Sequence, residues 1–256
     1  MKRCLGRRPA RHDARTLRFA AYAKALPMPP AQCDWSEHSP TWPMMLNDDL
    51  GDCTIAAAGH LIQEWTANDY GGPGHIVADP DILKAYENVS GYKPGKPDSD
   101  GGAIELDVLN YWRKTGIGGH KIWAFAAVAP RNHVHVQQAA YLFGGLYIGI
   151  DLPVAAQAQL DAKKPWDPPT KHPGRDWEPG SWGGHAVPIV AYDQNWLTVV
   201  TWGALQKMSW RFHDTYCSEA WAVLGGSDWL KGTDQPVAPN GLDLVTLQSD
   251  LTAVTG

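Results

Sequence analysis

Two residues of this sequence could together carry out nucleophilic chemistry, Cys53 and His185. Cys53 follows a turn-forming Leu-Gly-Asp and begins a run of alanines and aliphatic residues. Free N–H groups and the dipole at a helix N-terminus favour a thiolate, so a cysteine placed there can act as a nucleophile. Most free cysteines are buried and unreactive, however. Cys53 taken alone therefore favours a packing role.

His185 changes that balance. It stands in "GGHAVPIVAYD", behind two glycines at the start of a β-rich run, 132 residues after Cys53. A cysteine nucleophile needs a base within hydrogen-bond reach, which can be distant in sequence but adjacent in the fold. A lone histidine here would more often be a half-buried structural residue. The order and separation of the pair, however, fit a thiol enzyme in which the histidine follows by roughly 130–150 residues.

The elements that would position this pair fall into two groups. Apolar periodicity predicts a helix from about Cys53 to Ala67, a second from Asp79-Pro80 and a third around residues 104–112 that stops at Gly116. The second half is rich in β-formers and predicts strands at "LYIGIDLP", "HAVPIVAYD", "WLTVVTWG", "KMSWRF" and "AWAVLG", the middle pair forming a hairpin. Residues 120–145 fit either state, and 163–183 read as a loop. The fold class is therefore α+β.

This pattern gives a domain organisation. Residues 1–29 form a basic N-terminal arm and 30–256 form one domain. Within that domain, about 30–125 is a mainly helical lobe, about 126–240 a mainly β lobe, and 241–256 a C-terminal helix.

Composition limits the function classes. The chain is 44% hydrophobic and 19% charged, as in ordinary globular proteins. We find no membrane span and no signal peptide, so we expect a cytoplasmic or particle-associated protein that does not act at membranes. Four cysteines without a paired spacing predict neither a disulfide framework nor a zinc site. Calcium and phosphate motifs are missing as well, so we expect no metal and no cofactor.

Charge is unevenly distributed. Residues 1–18 carry a net charge of +6 and the remainder −11. Lys2–Arg18 could dock on an acidic surface of its own chain or of a neighbour, or bind an assembly partner. Nucleic acid is disfavoured, though not excluded, because the arm has no aromatic residues interleaved with its cations.

Further motifs stand in order around the pair. "LPMPPAQCDWS" precedes Asn47, which lies six residues before Cys53. "DSDGGAIELDVLNYWRKTGI" contains Gly101-Gly102, and "VVTWG" contains Thr201-Trp202. Over roughly residues 27–225 the chain resembles the papain-like cysteine peptidases. Thr201 stands near the place of that family's asparagine, and Asn47 stands in place of its glutamine.

The resemblance implies a two-lobed fold with a helical lobe, an antiparallel β lobe and the active site in the cleft between them. It implies hydrolysis of peptide or amide bonds through a thioester, with a peptide or protein as substrate. Cys53 would be the nucleophile, His185 the acid and base, Asn47 an oxyanion donor and Thr201 the residue that orients His185. The cleft residues would be Gly101, Gly102, Gly184 and Trp202. The alternative is a weakly active or inactive papain-like fold that serves as an assembly component, for example of a virus or phage particle.

Overall fold

The computed structural model describes residues 2–23, 26–70, 72–171 and 174–225, and these form helices packed against an antiparallel sheet. The helices are α1 (Cys53–Tyr70), α2 (Asp79–Ser90), α3 (Glu105–Lys114), α4 (His133–Leu142), α5 (Val154–Asp161) and α6 (Trp210–Tyr216). The strands are β1 (Cys33–Asp34), β2 (Ile122–Val128), β3 (Leu146–Leu152), β4 (Gly183–Tyr192), β5 (Trp196–Thr201), β6 (Ala204–Ser209) and β7 (Cys217–Gly225).

The sheet has the order β2-β7-β3-β4-β5-β6, and the short β1 pairs with β4. All of these pairings are antiparallel. Strand β3 lies between β7 and β4, so the start of β4 and the start of β7 approach the same stretch of β3. His185 is opposite Ile150 on one side, and Glu219 is opposite Gly149 on the other.

Helix α1 is the central helix of the other half. Every residue from 53 to 67 is buried, because apolar or small side chains occur on all its faces, which is typical of a core helix. It packs on β4. Gly59 allows Met45 to approach so closely that a Cβ would overlap the Met45 sulfur. Small residues thus let the chain before α1 pack directly on the helix.

Most predicted elements are confirmed. The three helices of the first half form where periodicity placed them, and "LYIGIDLP", the hairpin and "AWAVLG" form strands. The stretch 120–145, which the sequence left open, holds strand β2 and helix α4. In its described part, the loop 163–183 contains a 3₁₀ turn at Arg175–Trp177 and the start of β4. The predicted helix at 241–256 lies outside the described residues.

One strand prediction is wrong at its end. "KMSWRF" was expected to be a strand throughout, but β6 stops at Ser209 and Trp210 begins helix α6. The Ser209 hydroxyl accepts a hydrogen bond from the Phe212 N–H at 3.0 Å. This side-chain cap satisfies a free donor of the first turn. Local capping therefore overrides the strand preference of tryptophan and phenylalanine.

The basic arm lies on the rest of the chain. Phe19 and Ala23 are part of the apolar core of the sheet, and Leu5 and Leu17 pack against it.

Strand β2 spans the position 125/126 at which the sequence divides the lobes. Within the described residues, no helix is both long enough and apolar enough to cross a membrane.

Candidate active site

Cys53 is the first residue of α1 and is 1% exposed. Burial raises the pKa of its thiol to about 12, although hydrogen bonds from the backbone of Ala186 and Gly6 act in the opposite direction. Ala186 directly follows His185 on β4. The contact therefore brings the thiol beside the start of β4, where His185 lies.

His185 is held by two neighbours at the end of β5. Its Nε2 lies 2.7 Å from the Thr201 hydroxyl, and its ring stacks on Trp202 with centroids 4.1 Å apart and planes 7° apart. The Nδ1 atom has no hydrogen-bond partner among the described residues. Burial lowers the pKa of His185 to about 3, with smaller contributions from His60 and Arg7. The imidazole is therefore neutral in this conformation, with one ring nitrogen fixed and the other free.

The turn between β5 and β6 fixes Trp202. Thr201 pairs with Ala204, so Trp202-Gly203 forms a two-residue loop, and both residues have positive φ, 43° and 73°. Such loops match the twist of the flanking strands but require left-handed backbone, which a bulky residue rarely adopts. Strain of this kind occurs where the surrounding structure demands it, often at functional sites. Here it places an indole flat against His185.

Asn47 is buried, but its amide is already occupied. Nδ2 lies 3.2 Å from the Cys4 carbonyl, 3.1 Å from the Leu50 carbonyl and 3.2 Å from Asp52 Oδ1. Trp202 Nε1 donates to the same Cys4 carbonyl at 3.2 Å. Two side-chain N–H groups therefore converge on one carbonyl oxygen, and the basic arm supplies that oxygen.

The arm runs as an extended strand between the two halves of the protein. The Ala103 N–H donates to the Gly6 carbonyl at 2.8 Å, and the Arg8 N–H donates to the Ala103 carbonyl at 2.9 Å. On the opposite side, the Arg7 N–H donates to the Gly184 carbonyl at 3.1 Å. The Gly6 backbone also acts to lower the pKa of the Cys53 thiol, so residues 4–8 cover the site.

Glycines make this close approach possible. A Cβ on Gly102 would overlap the Gly6 carbonyl oxygen, and one on Gly184 would overlap the Arg7 carbonyl oxygen. Gly101 is different, since it is exposed and a Cβ there would meet nothing. Gly102 and Gly184 thus line the cleft from opposite sides, while Gly101 does not touch the arm.

The structure groups the residues selected from the sequence as follows. Thr201 and Trp202 contact His185, Asn47 shares an acceptor with Trp202, and Cys53 reaches the backbone beside His185. Sequence reasoning missed Arg7, which the arm inserts into a buried acidic pocket beside the site. The charge imbalance indicated docking on an acidic surface but contained no signal for the place.

His60, seven residues after Cys53, is separate from this chemistry. Its Nε2 lies 2.9 Å from the Pro43 carbonyl, and burial lowers its pKa to about 4. It packs against Trp42. His60 therefore serves as a neutral packing residue of α1.

All four cysteines are free. Cys33, in β1, is half-buried, and burial raises its pKa to about 12 as well. It provides a thiol remote from His185 with which Cys53 can be compared.

No protein-family model matches the sequence, and no curated protein matches it. Solved structures do match. Xylellain, a cysteine protease from Xylella fastidiosa, superposes with a TM-score of 0.64 at 18% identity over 87% of this chain and 96% of that one. Procathepsin B S9 from Trypanosoma congolense gives 0.58 at 10% identity over 87% and 86%. Bromelain from Ananas comosus, solved with the E64 inhibitor, gives 0.51 at 12% identity over 76% and 99%.

These proteins share architecture with this chain across nearly their whole length, at identities that show the fold alone. The order of the elements, the central helix α1 and the antiparallel sheet agree with the two-lobed arrangement that the sequence predicts. This chain has the papain-like fold of the cysteine proteases.

Proposed function

We propose that this protein is a thiol hydrolase that cleaves peptide or amide bonds with Cys53 and His185. The observation that carries the proposal is the fixed imidazole of His185, whose neighbour in sequence, Ala186, interacts with the Cys53 thiol. Thr201 and Trp202 hold the ring of His185, and its Nδ1 has no hydrogen-bond partner among the described residues. The backbone of Ala186, the residue after His185, acts to lower the pKa of the Cys53 thiol. A base oriented by a third group is the arrangement that activates a cysteine nucleophile.

The chemistry follows from these positions. His185 takes the thiol proton and the thiolate attacks the carbonyl carbon, which gives a tetrahedral oxyanion. The Cys53 backbone N–H and Asn47 Nδ2 would stabilise that oxyanion. As the carbon–nitrogen bond breaks, His185 returns the proton to the leaving amine. Water then hydrolyses the thioester, with His185 as the base.

Thr201 replaces a side-chain amide with a hydroxyl in this scheme. A threonine oxygen can accept a hydrogen bond, so Nε2–H donates to it and the proton-accepting lone pair is left on Nδ1. This tautomer is the one a general base at Nδ1 requires. Because the hydroxyl is uncharged, it orients the ring without stabilising the imidazolium as a carboxylate would.

The arm-covered conformation is the unreactive one in this proposal. The thiol has a pKa of about 12 and the imidazole a pKa of about 3, both chiefly because they are removed from water. Displacement of residues 4–8 would hydrate both groups and move each pKa towards its ordinary value. Hydrolysis then requires the arm to leave the cleft.

The test compares two cysteines. We expect Cys53→Ala in the full chain to abolish cleavage of an unfolded protein substrate, a loss of about 10³-fold or more. Cys33→Ala should retain it. The assay is run with and without mild displacement of the arm by limited proteolysis. Equal activity in the two variants would exclude Cys53 as nucleophile.

If neither the intact nor the trimmed chain cleaves peptides, the site is inert. A structural role in an assembly, in which the basic arm binds a partner, would then explain the fold better. Sedimentation of the full chain alone would show whether it associates with itself.

A further inference from the structure

Arg7 is a cation that the fold has buried. It belongs to the basic arm, yet its side chain is 1% exposed. Burying an unpaired charge is so unfavourable that such a group must have partners. The pocket around the guanidinium must therefore contain groups that bind and neutralise a cation.

Each guanidinium nitrogen has its own partner. Nη1 donates to Asp151 at 2.8 Å and Nη2 donates to the Ser218 hydroxyl at 2.6 Å. Nε donates to Glu219 at 2.9 Å, and Glu105 adds an ion pair at 3.5 Å. A planar fork with donors in several directions can satisfy these groups together, whereas a lysine ammonium cannot.

The walls of the pocket belong to the folded body and not to the arm. Glu105 is the first residue of α3, Asp151 lies in β3 and Glu219 lies in β7. Gly149, also in β3, leaves the space that the guanidinium fills, because a Cβ there would overlap Nε of Arg7. The pocket would therefore remain when the arm leaves, with three carboxylates and no cation.

The pocket is adjacent to the proposed nucleophile. The Arg7 N–H donates to the carbonyl of Gly184, the residue before His185, and the backbone of Gly6, the residue before Arg7, acts to lower the pKa of the Cys53 thiol. The backbone on both sides of the Arg7 side chain is hydrogen-bonded to the cleft walls at Ala103 and Gly184. Backbone bonds supply affinity for an extended peptide, and side-chain pockets supply its specificity.

We infer that this acidic pocket selects arginine in a peptide bound to the cleft and that Arg7 occupies it as an internal substitute. As a statement about substrates, the inference rests on the proposed hydrolase function. As a statement about peptide binding, it stands on the pocket alone. Glu105, Asp151 and Glu219 are the residues that determine the specificity, and Gly149 gives the side chain access.

The test measures binding in a full chain that cannot react. The Arg7→Ala, Cys53→Ala double variant is titrated with a fluorescein-labelled peptide of residues 5–10, "LGRRPA", and binding is followed by fluorescence anisotropy. Two further peptides carry citrulline, the neutral isostere of arginine, in place of the first or of the second arginine. The second corresponds to Arg8, which is exposed.

We expect citrulline at the first position to weaken binding at least tenfold and citrulline at the second position to weaken it less than threefold. Adding Glu219→Gln should reduce the difference between the peptides, while Glu37→Gln, at an exposed glutamate, should not. Gly149→Ala should weaken the binding of the arginine peptide. Equal affinity for the two citrulline peptides would overturn the inference.

If Arg7→Ala does not fold alone, the variant is refolded with each peptide and followed by circular dichroism. Recovery with the arginine peptide and not with the first citrulline peptide supports the pocket; equal behaviour with both overturns it.

A separate measurement distinguishes the pocket from the hydrolase. Arg7→Ala with Cys53 intact is given matched fluorogenic peptide amides that carry arginine, citrulline or leucine, placed in turn at each position before the cleaved bond. Cleavage without preference for arginine overturns the inference and leaves the hydrolase. Selective binding without any cleavage leaves the pocket and removes the hydrolase.

Discussion

Two buried polar centres lie side by side in this protein, and the same burial has opposite effects on them. At Cys53 and His185, removal from water leaves both groups neutral, with pKa values of about 12 and about 3. At Arg7, burial would also lower the pKa, but the carboxylates of Glu105, Glu219 and Asp151 raise it above its ordinary value. The two centres differ in charge compensation. Three carboxylates surround the guanidinium, whereas no counterion among the described residues pairs with the thiol or the imidazole.

The largest expected effect on stability comes from removing the Arg7 cation that compensates the buried carboxylates. Arg7→Met would leave Glu105 and Glu219 buried without their partner. We expect the free energy of unfolding to fall by about 3 kcal/mol at pH 8, the usual cost of breaking a buried ion pair from one side. Urea titration monitored by tryptophan fluorescence measures it, and Arg8→Met, at an exposed position, is the matched control.

The pH dependence of that variant has a defined sign. Burial raises the pKa of Glu105 and of Glu219 above that of an unfolded glutamate, about 4.3. At pH values between the unfolded-state pKa and the raised folded-state pKa, the folded state binds more protons than the unfolded state. The free energy of unfolding therefore falls as pH rises through this window. Without Arg7 the effect should grow, and Arg7→Met should lose more stability between pH 5 and pH 8 than the unaltered chain. An equal loss in both would show that the carboxylates do not depend on Arg7.

His185 tests the uncompensated centre. Its pKa of about 3 lies below the unfolded value of 6.5, so the unfolded state takes up a proton first as pH falls. His185 therefore costs stability below pH 6.5, roughly 3 kcal/mol by pH 4.5. We expect His185→Gln to weaken this acid dependence in urea titrations at pH 7 and pH 4.5. His12→Gln, at an exposed histidine, should not.

Changes at Thr201 test the contribution of a single hydrogen bond to the orientation of His185. Thr201→Val keeps the shape but removes the acceptor 2.7 Å from His185 Nε2. A neutral hydrogen bond is worth about 1 kcal/mol, so peptide cleavage should fall by about fivefold. Thr201→Asn restores an acceptor and should retain more activity than Thr201→Val. If the two variants are equally impaired, the hydroxyl acts through packing and not through the imidazole.

The smallest effect concerns the exposed end of the arm. Arg11 pairs with Asp107 on the surface, and such pairs are worth less than about 1 kcal/mol and weaken with salt. Arg11→Ala should leave the melting temperature nearly unchanged and slightly speed iodoacetamide labelling of Cys53 at low salt only. A large destabilisation would mean that the exposed cations, and not Arg7, hold the arm.

The sequence located the residues of the proposed reactive pair more securely than it located the arm. Cys53, His185 and Thr201 each lie within a local pattern, a helix start or a strand end, whose geometry a short motif encodes. The partners of Arg7 come from α3, β3 and β7, and no local pattern links them. Net charge predicted that the arm would meet an acidic surface, but only the folded sheet brings Asp151 and Glu219 together.

Asn47 and Ser209 show two other limits. The position of Asn47 before Cys53 suggested an oxyanion donor, but its hydrogen bond to the Cys4 carbonyl depends on where the arm lies. Ser209 ends strand β6 because its hydroxyl caps α6 through the N–H of Phe212, three residues later. The high β-propensity of the surrounding residues concealed this cap in the sequence. Neither the long-range docking of the arm nor the short-range cap at Ser209 can be predicted from hydrophobic periodicity.

The position of Arg7 also has a consequence for the order of events during synthesis. Its partner Glu219 lies 212 residues further along the chain, so the arm cannot reach its final place until β7 has left the ribosome. Domains made from the N-terminus often fold as they emerge. Here the arm is translated long before β7 and can settle only after it, and until then the cleft of the nascent protein is uncovered.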